Sequence, residues 1–176
     1  LRVVPDSVYM ALPQDLVLDP LAPDVSLFKP EEVQHLPDAA KQPTADKAEL
    51  FAKSAVALDH LKEWLNKGKG ICSNLGYETA TGPIEDYDMA KPGGALFIAP
   101  LKGEKRATEK VASDYGGDWS QLLDAVRCSI AVDHYDDIGK TLEALKAGGM
   151  KLARKPKDRF NKALPVGYRD MLLNVT

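Results

Sequence analysis

With 176 residues, 44% of them hydrophobic and 28% charged, and a net charge of -3, the chain has the make-up of one globular domain carrying an appendage. No apolar run approaches the roughly 20 residues that a membrane-spanning helix needs, and the opening LRVVPDSVYM lacks the charged-then-apolar order of a secretory signal. The slight acidity speaks against nucleic-acid binding through net charge. Cys72 and Cys128 belong to no Cys-x-x-Cys or Cys/His cluster, which speaks against zinc and for two reduced thiols, with Cys128 buried.

Residues 1–44 hold Pro5, Pro13, Pro20, Pro23, Pro30, Pro37 and Pro43. Each proline fixes φ and removes a backbone donor, so this stretch is expected to be an extended arm or linker without long helices or central strands. Val8, Tyr9, Leu16, Val17 and Leu27 suggest that parts of it dock. Residues 45–176 read as the folded domain, opened by a helix with Thr44 as cap. Leu50, Ala57, Leu61, Trp64 and Leu65 recur along this helix at helical spacing, and Gly68 and Gly70 end it. From Ile71 to Gly93 the chain reads as irregular, with Glu85, Asp86 and Asp88 as a solvated acidic loop rather than a metal site.

After Gly94, ALFIAP reads as a strand, residues 103–114 as a helix, and AVRCSIAV, residues 125–132, as a second strand. DDIGKTLEALKAGG is an amphipathic helix with Ile138, Leu142 and Leu145 inside and Gly148-Gly149 as its stop. MKLARKP and GYRDMLLNV read as two more strands. The expected class is α+β: a small mixed sheet with flanking helices.

Three features carry chemistry. Lys102, Lys105, Arg106 and Lys110 stand at a strand end and along the next helix, a set of cations suited to a polyphosphate. A solvated helix with Glu104 and Glu109 as counter-charges would look the same. Asp124, at a strand entrance, caps the chain or holds Mg²⁺, an ion that takes one or two carboxylates plus substrate phosphates. Its parity matches Val126, Cys128 and Ile130, so it must lie at the strand's end to meet a ligand. Finally, strict alternation puts Tyr168, Asp170, Leu172 and Asn174 on one face of the last strand and Met171, Leu173 and Val175 on the core face. Tyr168 is then either a rim tyrosine or a platform for a base, with Lys157 and Arg159 just ahead of it.

In order and spacing, these features resemble the synthetase domain of RelA/SpoT-type (p)ppGpp synthetases, a branch of the nucleotidyltransferase fold. The likeness runs from about Leu96 onward through Lys102, Lys110 eight residues later, Asp124 heading a strand, Lys157-Asp158 and Gly167-Tyr168. It implies transfer of the β,γ-pyrophosphate of ATP to a ribose 3′-hydroxyl, an ATP:nucleotide 3′-pyrophosphotransferase. It also implies that Asp124 holds Mg²⁺, that Lys102, Arg106 and Lys110 hold ATP phosphates, that Tyr168 stacks on the acceptor base, and that Lys157 and Arg159 hold acceptor phosphates. Asp124 and Lys102 carry the catalysis on this reading. GDP, GTP, an adenosine nucleotide or an RNA 3′ end are the candidate acceptors.

The chain departs from that pattern. Leu172 stands where the family has His, Pro100 and Arg106 where it has Arg and Ser, and Arg127 comes two positions early. The family's second metal ligand, a Glu, would fall on a strand after Thr176; either that strand and its Glu lie in sequence beyond Thr176, or a different group supplies the ligand. A chain without that Glu should be nearly inactive. Three readings follow: a divergent pyrophosphokinase domain from a larger bacterial or phage protein; the same fold kept as an inactive nucleotide- or partner-binding module; and an interaction protein that works through its proline-rich arm. The expected compartment is the cytoplasm, with a secreted effector or toxin as the alternative; no membrane partner is expected and the oligomeric state is open.

Overall fold

The computed structural model describes residues 7–11, 27–66, 70–80, 93–132, 134–159 and 170–176. Its strands are β1 (Ser7–Ala11), β2 (Glu78–Thr79), β3 (Ala95–Ile98), β4 (Arg127–Ala131), β5 (Lys157–Asp158) and β6 (Asp170–Leu173). Its helices are α1 (Pro30–Val33), α2 (Lys47–Leu65), α3 (Ile71–Asn74), α4 (Glu104–Tyr115) and α5 (Tyr135–Ala147), with a 3-10 turn at Trp119–Gln121. The strands form one six-stranded mixed sheet in the order β2-β3-β4-β1-β6-β5. The expected α+β class with a small mixed sheet and flanking helices is therefore what the chain adopts.

The main core lies on one face of this sheet. Val126, Cys128, Ile130, Met171, Leu173 and Val175 meet Leu61 and Leu65 of α2 and Ile138, Leu142 and Leu145 of α5. The alternation read for the last strand thus holds for its apolar face. On the opposite face Ala95, Phe97 and Ala131 make a small separate cluster. Leu50 of α2 joins Ala107, Val111, Leu122 and Ala125 in a third, which seats α4. Gly148 ends α5 where the backbone must come close: an added Cβ would stand 2.3 Å from Ile71 Cδ1, and the Gly148 carbonyl accepts from Trp64 Nε1 at 2.8 Å. Both cysteines are free and buried. Burial pushes the thiols up, Cys72 to about 12, so both are protonated and unreactive at neutral pH.

Several expectations are corrected. Residues 1–44 do contain a central strand: β1 runs parallel to β4, with Ser7 opposite Arg127, and antiparallel to β6, with Val8 opposite Leu173. Pro5 and Pro13 bracket β1 without entering it, and a proline harms a strand only where its missing N–H is needed. Nor is 71–93 wholly irregular, since α3 and β2 lie within it. Asp46, not Thr44, caps α2, accepting from the Glu49 N–H at 2.7 Å, while Thr44 Oγ1 donates to the Glu49 carboxylate. Asp46→Ala should cost about 1 kcal/mol, read as a fall of roughly 2–4 °C in the thermal midpoint.

Residues 150–156 form no strand, only a bridge between Leu152 and Val175. Pro156 offers no donor, and the Lys155 N–H goes to the Pro37 carbonyl at 3.0 Å instead of a neighbouring strand. Gly68 lies outside the described residues; α2 stops at Leu65, ahead of both glycines, and Gly70 stands instead at the N-cap of α3. Among the described residues no helix is long and apolar enough to cross a membrane.

Candidate active site

β3 and β4 are antiparallel neighbours, so the residues after β3 return to the entrance of β4. That turn brings Lys102 beside Asp124. The Lys102 N–H donates to the Ala125 carbonyl at 3.0 Å, and Lys102 Nζ lies 2.8 Å from Asp124 Oδ2. α4 starts directly afterwards and packs through Ala107 and Val111, which leaves Lys110 on the rim of that buried stripe. Lys110 Nζ also lies 2.8 Å from Asp124 Oδ2 and sits 5.6 Å from the centre of the Tyr115 ring. Two ammonium groups from different elements therefore share one carboxylate oxygen.

Asp124 itself stands three residues ahead of β4, as a ligand-binding role requires. Leu122 and Ala125 anchor its segment in the α4 cluster and Val126 in the main core, so the carboxylate is held at the edge with its side chain 19% exposed. Arg127 Nη1 donates to the Asp124 carbonyl at 3.2 Å. Oδ1 of Asp124 is buried and has no hydrogen-bond partner among the described residues. Burial works against the charged carboxyl, but the hydrogen bonds from Lys102 and Lys110 outweigh it and hold Asp124 below the usual Asp range. Burial likewise opposes the Lys110 charge, and the bond to Asp124 overrides it, leaving Lys110 above its ordinary value.

The segment before Asp124 is braced by residues that no sequence motif singled out. The Lys41 ammonium, then Ser120 and Gln121, hold the Asp118 carboxylate well below its usual range. Lys41 Nζ is 2.8 Å from Asp118, the Gln42 N–H donates to the Ser120 carbonyl at 2.7 Å, and Gln42 Nε2 donates to the Leu122 carbonyl at 3.2 Å. Gln42 lies four residues before the α2 cap and is buried, so its amide must find partners; nothing in the sequence marks that burial.

The other predicted site residues fall elsewhere. Arg106 is exposed on α4, one turn ahead of Lys110, and Lys105 is exposed beside it. Lys157 lies on edge strand β5 opposite Leu172. The Arg159 guanidinium grips the carboxylate of Asp170, a side chain with 0% exposure, and the Arg159 N–H donates to the Asp170 carbonyl at 2.9 Å. Asp170 pairs in register with Ala11, and Ala11 with Ala131, whereas Asp124 lies before Arg127, the partner of Ser7. The two groups thus sit at opposite ends of the strands, at least the length of β4 apart, roughly 13 Å at about 3.3 Å per residue. Tyr168, Gly167 and the Glu85, Asp86 and Asp88 loop lie outside the described residues.

Mg²⁺, implied by the resemblance, fits the donor set in one respect: Asp124 Oδ1 is a carboxylate oxygen with no hydrogen-bond partner among the described residues. Among the described residues no group of three or more His, Cys, Asp and Glu side chains could hold a metal ion. Such a site therefore suits an ion that takes one carboxylate and draws its other ligands from substrate phosphates and water.

Against this geometry stands one partial match among curated proteins. The chain is similar to a (p)ppApp synthetase. That protein, the (p)ppApp synthetase toxin Tas1 of Pseudomonas aeruginosa (strain UCBPP-PA14), is 32% identical over 85 residues, which cover 48% of this chain and 18% of Tas1. The matched region is thus less than a fifth of the relative's length. No family model matches the chain, and no solved structure matches it. The similarity agrees with the RelA/SpoT-type resemblance at the level of the family and of nucleotide pyrophosphotransfer in general.

Proposed function

We propose that the chain is a divergent RelA/SpoT-like domain that transfers pyrophosphate from ATP to the 3′-hydroxyl of a nucleotide acceptor. The observation that carries this reading is Asp124, with two lysine ammoniums on one oxygen and a buried, unpartnered second oxygen. In the reaction the acceptor O3′ forms a bond to the β-phosphorus of ATP, the bond from that phosphorus to the α-phosphate oxygen breaks, AMP leaves, and the hydroxyl proton passes to solvent.

Chemistry of this kind asks the protein mainly for position and charge. Lys102 and Lys110 converge from two elements onto one point and would neutralise the charge that moves to the departing AMP. Arg106, one turn ahead of Lys110, would extend that contact along the polyphosphate. The first turn of α4 adds main-chain N–H groups, since Gly103 leaves this helix without a side-chain cap. Asp124 would hold Mg²⁺ through its carboxylate, and the ion would supply Lewis-acid polarisation of the phosphoryl oxygens. As the resemblance implies, Lys157 and Arg159 would hold acceptor phosphates and Tyr168 would stack on the acceptor base. The relative's product names adenosine nucleotides as acceptors to try first, beside GDP and GTP.

The test is incubation with labelled ATP, Mg²⁺ and each acceptor, read as AMP release. Failure with every acceptor, also in a version extended past Thr176, sinks the catalytic reading. Lys110→Met should lower AMP release by about 10²–10³-fold, the size of effect seen when one preorganised donor to developing charge is lost. Circular dichroism should show the fold intact.

A second reading, a nucleotide- or partner-binding module without turnover, is favoured by Leu172. It stands where the family has His and is half-buried between Tyr9 and Lys157 in the strand register. Tight nucleotide binding without AMP release selects it. Deleting residues 1–44 cannot serve as the control for the arm-based reading, because it removes central strand β1.

A further inference from the structure

Asp124 carries one negative charge, and Lys102 and Lys110 each bring a positive Nζ to 2.8 Å from its Oδ2, so the local sum is +1. A hydrated dication approaching alone meets this excess of positive charge. It also finds Oδ2 already bonded twice and Oδ1 buried. Main-chain withdrawal offers no way out, because the Lys102 N–H is tied to the Ala125 carbonyl and Lys110 lies within α4. Only the two side chains can swing away, and each needs an anion to go to.

We propose that Lys102 and Lys110 latch Asp124 against free divalent cations, so that metal is admitted only together with a nucleotide polyphosphate. A polyphosphate supplies the missing anion for both ammoniums at once, and as they leave Oδ2 the carboxylate becomes available to the cation that the phosphates bring. Because the lysines come from separate elements, a monophosphate that reaches one of them leaves the other latched. The inference rests on the pyrophosphokinase reading of the same site and adds an order of assembly to it: polyphosphate and metal together, never metal first.

The experiment follows Mn²⁺ binding by the loss of its free electron-paramagnetic-resonance signal, without turnover. It uses the full chain alone and with α,β-methylene-ATP, whose bridging carbon replaces the bond that transfer would break. The protein-bound ternary signal should saturate at Mn²⁺ concentrations at least about tenfold below any binding to the protein alone. By linkage, Mn²⁺ should tighten the analogue by the same factor. Lys110→Met, which keeps Lys102, should raise metal-alone affinity by about tenfold, and Asp124→Asn should abolish the gain.

Equal Mn²⁺ affinity with and without the analogue overturns the latch while leaving the nucleotide site standing. So does a Lys110→Met chain, folded by circular dichroism, that binds Mn²⁺ no better than wild type. If the analogue does not bind at all, the nucleotide reading falls and the latch falls with it. If the variant does not fold, the wild-type titration, corrected for the Mn²⁺ that the analogue binds without protein, still decides the first and the last of these outcomes.

Discussion

Asp124→Asn should lower AMP release from ATP by a factor of about 10²–10³ while leaving the protein folded. The size follows from charge. Removing the carboxylate that both lysines share withdraws several kcal/mol of ordering around the phosphates, and each 1.36 kcal/mol is about tenfold in rate. Folding is spared for a different reason. Lys102 and Lys110 have side chains 16% and 30% exposed, so water screens the two ammoniums once the carboxylate is gone, and the amide oxygen can still accept from them. The acid side gives a second readout. The Asp124 carboxyl is held below its unfolded value, so its pairing stabilises the protein above the ordinary Asp pKa and is lost as pH falls through the depressed one. The wild-type thermal midpoint should therefore fall more steeply on acidification than that of Asp124→Asn. Equal activity of the two proteins would remove Asp124 from the reaction.

The resemblance placed Lys102, Lys110 and Asp124 in one site; their direct pairing, which the antiparallel adjacency of β3 and β4 produces, was not read from the sequence. A strand, a cation at its end, a helix, and an acid at the next strand's entrance come together whenever the two strands are adjacent and antiparallel, as β3 and β4 are. Helical spacing likewise placed Ile138, Leu142 and Leu145 inside, and strand parity placed Met171 and Leu173. The direction of β6 was not legible. It is set by β1, which lies between β4 and β6, parallel to the first and antiparallel to the second. Counting prolines in the first 44 residues hid β1, although the gap between Pro5 and Pro13 holds a five-residue strand. Because β6 runs antiparallel to β1, and β1 parallel to β4, Asp170 at the start of β6 and Arg159 beside it lie at the far end of the sheet from Asp124. Local sequence carries no record of which strand a distant segment will slot beside, and so the site's second end could not be placed from it.

Arg159→Ala should destabilise the fold by about 3–5 kcal/mol, the usual loss when one partner of a buried ion pair is removed. Asp170 has 0% side-chain exposure and faces away from the main core. Alternation had marked it as a polar position on the outer face but had not named Arg159 as its partner, a pairing that only the β5–β6 register makes. Burial raises the Asp170 carboxyl above the usual Asp range, and the Arg159 guanidinium pulls it back without cancelling the shift. A carboxyl raised on folding favours the folded state while it is protonated and loses that advantage as pH climbs through its folded pKa. Without Arg159 the raise is larger, so the variant's deficit should be greatest near neutral pH and shrink towards pH 4 as Asp170 takes up a proton. Adding Asp170→Asn to Arg159→Ala should recover part of the loss at neutral pH, because the buried group is then uncharged. Denaturant melts at two pH values decide the matter: a deficit that does not change with pH would mean that Arg159 acts through packing of its stem rather than through the charge of Asp170.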